Sequence, residues 1–175
     1  MINLRGAKVW VLLTAFSTLV GCSDSGEERD YQVPSALCGV TVDPNAVSDL
    51  LPSGSEIEII EKNPVHRRNE CQVNVDGKAA LIASQEWWED SDTIVDVAAS
   101  VPQLESARLT DDSGTYISSG TGAVMRVTGC INPGHPDHAL FTALEIHADG
   151  VDNDGAVKKL ISSYTQSVAG SNACR

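Results

Sequence analysis

Positive charge is scarce in this chain: 12 Lys and Arg stand against 24 Asp and Glu, a formal net charge of −12 over 175 residues. Without a Lys/Arg stripe to offset it, such a body is repelled by phosphate backbones and anionic headgroups, so nucleic acid is not expected as a partner. Long apolar runs are absent too. The longest, Val9 to Val20, spans about a dozen residues and is broken by Thr14, Ser17 and Thr18, whereas a spanning helix needs roughly 20. Gly-x-Ser-x-Gly, His-Glu-x-x-His and Ser-x-x-Lys do not occur. The commoner signatures of envelope hydrolases and penicillin-interacting enzymes are therefore missing, and catalysis has no support. No two cysteines of the four beyond residue 22 lie at the short spacing of zinc-binding pairs, so neither a metal nor another cofactor is expected from them.

What is present begins at the N-terminus. Arg5 and Lys8 precede the apolar run, and the run ends in Leu19-Val20-Gly21-Cys22. That is the layout of a secretory signal, and its last four residues resemble the bacterial lipobox. The resemblance implies that the Cys22 thiol is alkylated with diacylglycerol and the chain cut just before it, removing residues 1 to 21. Two acyl chains, of the palmitate kind, make membrane residence stable where one gives only marginal binding. Cleavage removes Arg5 and Lys8 but no acid, so the net charge falls from −12 to −14, with 10 basic against 24 acidic side chains. Residues 22 to 34 are polar and acidic and read as a flexible tether whose end-to-end distance is on the order of 20 Å. Residues 35 to 175 form the expected single globular domain, with a 42% hydrophobic composition overall that suits a packed core.

Five cysteines leave one over in an oxidising compartment, and lipidation of Cys22 accounts for it. Cys38, Cys71, Cys130 and Cys174 remain, an even number that argues for two disulfides with three possible connectivities. The favoured pairs are Cys38 with Cys71 and Cys130 with Cys174, which close each half of the domain separately and tie the C-terminus back to a strand end.

Hydrophobic periodicity orders the domain. Asp43 caps a short helix with Pro44 in its first turn, and Val47, Leu50 and Leu51 share a face. Ile57 and Ile59 alternate with Glu56 and Glu58, and Cys71, Val73 and Val75 alternate in the next strand. Asp76-Gly77 then predicts a tight hairpin, with Ala79 to Trp88 returning. Asp90-Ser91-Asp92 is expected to cap a second helix bearing Ile94, Val97, Ala98 and Val101, ended by Pro102. Gly114 to Ser118, Ala123 to Thr128 and Leu140 to Ala148 read as strands, and Val157, Leu160, Ile161, Tyr164 and Val168 mark a final amphipathic helix. The order αβββαβββα implies an α+β fold, a mainly antiparallel sheet of about six strands with three helices, loosely duplicated.

Candidate sites are few. Gly134-His135-Pro136-Asp137-His138 gathers two imidazoles and a carboxylate, which makes His135, Asp137 and His138 metal-ligand or acid/base candidates despite the lack of a clear fourth ligand. Asp149 to Gly155 has the look of a calcium loop, but Gly150 and Ile161 fall where ligands are needed, so its acids read as turn formers and a helix cap. Ser119-Gly120-Thr121-Gly122 lacks the Lys-Ser or Lys-Thr of a phosphate loop and reads as a hairpin connection. Trp87 and Trp88, adjacent on a strand, must point to opposite faces, one toward the core and the other toward a surface.

With its lipobox, its acidic tether, Val33-Pro34-Ser35-Ala36-Leu37-Cys38-Gly39, Cys71-Gln72-Val73 and Ser118 to Gly122, the chain resembles small uncharacterised lipoproteins of actinobacteria such as streptomycetes. Its element order is also similar to that of the photosystem-associated PsbP and Mog1 proteins. The resemblance to these lipoproteins implies a protein lipid-anchored on the extracytoplasmic face of the cell membrane; stable anchoring without a recognisable catalytic set then points to a binding or accessory module, partnered with an envelope protein or glycan. The competing expectation is an extracytoplasmic enzyme or metal-binding protein using the His135/Asp137/His138 loop.

Overall fold

The structure, a computed structural model, describes residues 29–104 and 114–175; the signal segment and Cys22 lie outside the described residues. A two-residue hairpin comes first, β1 (Ala36–Leu37) and β2 (Val40–Thr41), followed by α1 (Pro44–Ser48), β3 (Ile57–Val65), β4 (Arg68–Val75) and β5 (Lys78–Glu89). Then come α2 (Ile94–Ala98), a 3-10 turn at Pro102–Leu104, β6 (Tyr116–Ser118), β7 (Gly122–Arg126), β8 (His138–Ile146), α3 (Asp154–Ala169) and a last 3-10 turn at Asn172–Cys174. The larger sheet is antiparallel throughout, in the order β3-β4-β5-β8-β7-β6. The expected α+β class and helix–strand order are present, with the β1–β2 hairpin added in front.

Local chemistry explains most boundaries. Asp43 accepts the Asn45 backbone N–H at 2.9 Å and Pro44 opens α1, the arrangement that supplies an acceptor to otherwise orphaned helical donors. Asp76 (φ 48°) and Gly77 (φ 76°) make the β4–β5 turn, both in the left-handed region that the hairpin requires. Asp76 also accepts the Ser55 and Glu56 N–H groups, each at 2.9 Å, so one carboxylate shapes the turn and seats the start of β3. The second helix is capped by Thr93 rather than by Asp90, Ser91 or Asp92: Thr93 and Asp96 form a reciprocal capping box. Asp92 instead accepts the Glu89 N–H at 3.0 Å and closes the end of β5. Asn153 caps α3, with Asp154 in its first turn.

The two faces of the sheet are covered differently. α3 buries Val157, Leu160, Ile161, Tyr164 and Val168 against Val73, Leu81, Ala83 and Leu144, with α1 and the β1–β2 hairpin completing this main core. α2 and the first 3-10 turn cover the other face only over β6, β7 and β8, where Ile94, Val97 and Leu104 meet Ile117, Val124 and Phe141. The three-strand units therefore meet through their last strands, β5 and β8, but α1 and α2 pack on opposite faces. A twofold axis normal to the sheet would keep them on one face, so the expected duplication is limited to strand order. Ile59 shares its face with Val73, its partner across the ladder, yet is 41% exposed because β3 is the edge strand and lies beyond the reach of α3.

Two disulfides, Cys38–Cys71 and Cys130–Cys174, tie the periphery to the sheet and helix. Cys38 sits at φ 45° beside Gly39 at φ 83° in the β1–β2 turn. The bond to buried Cys71 holds that hairpin on the main core.

The domain also begins earlier than the composition implied. Arg29 bridges to Gly54, and its guanidinium donates to the Ser48 and Leu51 carbonyls at 2.9 and 2.7 Å. Tyr31 donates to the Pro52 carbonyl, and Tyr31 and Val33 pack on the core. Residues 29–34, expected to be tether, are thus seated. Charge and polarity suggested a solvated segment, but the helix-end carbonyls after α1 need donors and Arg29 provides them.

Leu160 is fully buried in the main core, so Leu160→Ala is expected to cost about 2–5 kcal/mol through lost burial and a residual cavity. Equilibrium denaturation of the oxidised domain measures this, with exposed Ser162→Ala on the same helix as the near-neutral reference.

Candidate functional site

A site arises where the strands are unequal. The β4–β5 ladder ends at Arg68 opposite Glu86, while β5 runs on to Glu89 and keeps β8 as its partner. One further bond, from the Trp87 N–H to the Arg67 carbonyl at 3.0 Å, closes the ladder. Beyond it, a notch remains between the β3–β4 turn and the free flank of β5. Its volume is about 580 Å³, and its lining includes His66, Arg67, Glu86, Trp87, Trp88 and Glu89.

The indoles follow strand geometry only in part. They point to opposite faces, Trp87 toward the main core and Trp88 toward the smaller one, but neither is fully buried or fully exposed. Each divides its surface between a core and the notch.

The β7–β8 connection packs beside the notch, against Trp87. Cys130–Cys174 pins its start to the C-terminus, and Asn132 donates to the Ala173 carbonyl at 2.8 Å. Asn132 also accepts the Gly134 N–H at 2.8 Å through its side chain and the His135 N–H at 2.9 Å through its carbonyl. These bonds aim His135 back over the sheet, where its ring stacks on Trp87 at 4.4 Å and 11°. His138 opens β8 opposite Glu89, and its Nε2 meets the Arg67 guanidinium. A guanidinium only donates, so Nε2 is the acceptor in this contact.

Three of the four histidines of the chain, with Arg67, therefore gather at one end of the sheet. The His135 pKa is held below its ordinary value, first by desolvation of its ring and then by the nearby His138, His66 and Arg67. Each of these causes disfavours a second proton on the imidazole.

The metal candidates do not assemble. His135 and His138 are edge-to-face at 6.0 Å between ring centroids, Asp137 is exposed, and Arg67 occupies the Nε2 of His138. Among the described residues no three His, Cys, Asp or Glu side chains could hold a metal ion. The loops at Ser119–Gly122 and Gly134–His138 lie at opposite ends: Gly122 pairs with Glu145 near the end of β8, and His138 begins that strand. Ser119 Oγ accepts the Thr121 and Gly122 N–H groups at 3.2 and 3.0 Å, so that loop is a self-satisfied turn.

One constellation escaped the sequence. On the sheet face left open over β4 and β5, Arg68 is flanked by Glu70 at 2.7 Å, Glu145 at 3.2 Å and Glu86 at 3.6 Å, and Glu145 approaches His147 at 3.7 Å. Strand alternation could have found it, since Arg68 and Glu70, and likewise Glu145 and His147, are two apart. The pattern became visible only once β4 was extended back from Cys71 to Arg68 and its register against β5 and β8 was known. Its role is to neutralise carboxylates that the ladder forces together.

No protein-family model, curated protein or solved structure gives a significant match to the chain. The expected likeness to PsbP and Mog1 is therefore not shown.

Two outcomes follow from these contacts. Arg68→Met is expected to destabilise the domain by about 2–4 kcal/mol, because three part-buried carboxylates lose the guanidinium they share; denaturant unfolding at neutral pH measures it. For His135, a folded pKa below the ordinary 6.5 means that the unfolded state takes up the proton first. Its stabilising contribution is complete above pH 6.5 and declines as the pH falls toward the folded value. Trp87 emission should change with a midpoint below 6.5, and His135→Phe, which keeps a ring but no titrating group, should abolish the transition.

Proposed function

We propose that this chain is a lipid-anchored binding or accessory module on the extracytoplasmic face of the cell membrane, with the Trp/His notch as its contact surface. Leu19-Val20-Gly21-Cys22 supports the anchor, and the two disulfides suit an oxidising compartment. Among the described residues no helix is long and apolar enough to cross a membrane.

The observation that carries the reading is the notch lined by His66, Arg67, Trp87 and Trp88, with His135 stacked on Trp87 and His138 against Arg67 beside it. The chain as a whole is acidic, and the loop at Ser119–Gly122 satisfies its own hydrogen bonds. An envelope protein or glycan is the partner class.

Metabolic labelling with a clickable fatty acid tests the anchor. The wild-type product should be labelled and Cys22→Ala should not; an unlabelled wild type overturns the reading. Affinity capture from detergent-solubilised envelope tests the contact surface. A specific partner retained by wild type should be lost on Trp87→Ala.

A further inference from the structure

We infer that the notch is a saccharide-binding subsite held away from the membrane to which the chain is anchored. Its orientation rests on the lipidation of Cys22 proposed above; its ligand chemistry does not.

Orientation follows from where the chain joins the domain. Arg29 is seated at Gly54, which abuts Val75 and Asp76 at the far end of β4. The notch begins at Arg67, at the other end of that strand. Eight residues of strand rise separate them by about 25 Å. Seven peptide units join Cys22 to Arg29, a leash of at most about 25 Å. Because residues 29–34 are docked, they add nothing to its reach. The net charge of −14 left once residues 1–21 are removed further opposes laying the sheet against an anionic leaflet. The seated end is thus the one tied to the anchor, and charge repulsion from the leaflet turns the notch outward, which makes a lipid of the same membrane a poor ligand.

The lining sets the ligand class. Arg67 and His66 can donate, while Glu86, Glu89 and Asp92 can accept, around two indoles. A polyanion meets three carboxylates and the charge of the whole body. An amine or guanidinium, though drawn by those carboxylates, only donates and leaves Arg67 and His66 without an acceptor. A sugar hydroxyl both donates and accepts, and the C–H face of a pyranose suits the apolar body of an indole. The hollow, at about 580 Å³, falls in the range of small-ligand sites. The partner on these grounds is an uncharged, hydroxyl-rich glycan on the wall side.

The test uses the full lipidated chain in phosphatidylcholine vesicles with and without brominated acyl chains. Trp10 lies within residues 1–21, so Trp87 and Trp88 are the only indoles of the mature chain and report from the notch. Failure to co-float with vesicles would overturn the anchoring reading alone. Flotation with bromine quenching of the tryptophans would overturn the outward orientation. The expected result is flotation without quenching.

Uncharged oligosaccharides of β-1,4-linked N-acetylglucosamine are then titrated against tryptophan emission. A saturable change is expected, weakened about tenfold or more by Arg67→Ala and by Glu89→Gln, with unfolding midpoints unchanged as the check on folding. No saturable change, or one that both variants retain in full, would overturn the ligand assignment.

Discussion

The structure depends on the pairing of β5 with β8. Nine residue pairs, from Leu81 with Ile146 to Glu89 with His138, join two three-strand units that share no other long ladder. Each unit alone is a short meander with one apolar face, too small to bury its own core. Joined antiparallel at their last strands, they present one continuous surface on which α3 lays Leu160, Ile161 and Tyr164. Tyr164 shows how tight that fit is: its hydroxyl accepts from Gln85 of β5 at 3.3 Å, and burial pushes its pKa up to about 12.

The same pairing creates the notch. β5 is long enough to match β8 but outruns β4, so Trp87, Trp88 and Glu89 continue past their neighbour on one side. On β8 the matching residue is His138, and the loop before it returns His135 to the indole. A mismatch in strand length, together with the Cys130–Cys174 bond, thus brings side chains distant in sequence into contact. The chain is acidic as a whole, yet this end concentrates Arg67 and three histidines, which is why it differs chemically from the rest of the surface.

Elements with strong local chemistry were legible before any coordinates. Asp43-Pro44, Asp76-Gly77 and the 3.6-residue stripe from Val157 to Val168 each satisfy a rule of capping, turn or periodicity within a few residues. Less was legible where the decisive partner is remote. The β1–β2 hairpin has two residues per strand and is held by Cys71, thirty-three positions away. The seat of Arg29 depends on carbonyls after α1, and the start of β4 at Arg68 depends on Glu86 and Glu145. The His135/Asp137/His138 loop carried the right residues for a site but not its nature, because Trp87 and Arg67 claim the two imidazoles.

By itself, the sequence determined the class of the fold, the alternation of strands and helices, the hairpin at Asp76-Gly77, and the lipobox expectation at Cys22. Those features are written in neighbours a few positions apart, where propensity, periodicity and short motifs act. Only the tertiary structure decided which loops share an end, which face of the sheet stays open, and which groups His135 and His138 touch. Those depend on strand register and strand length, quantities set by the packing of the whole sheet against α3 and recorded in no single stretch of chain.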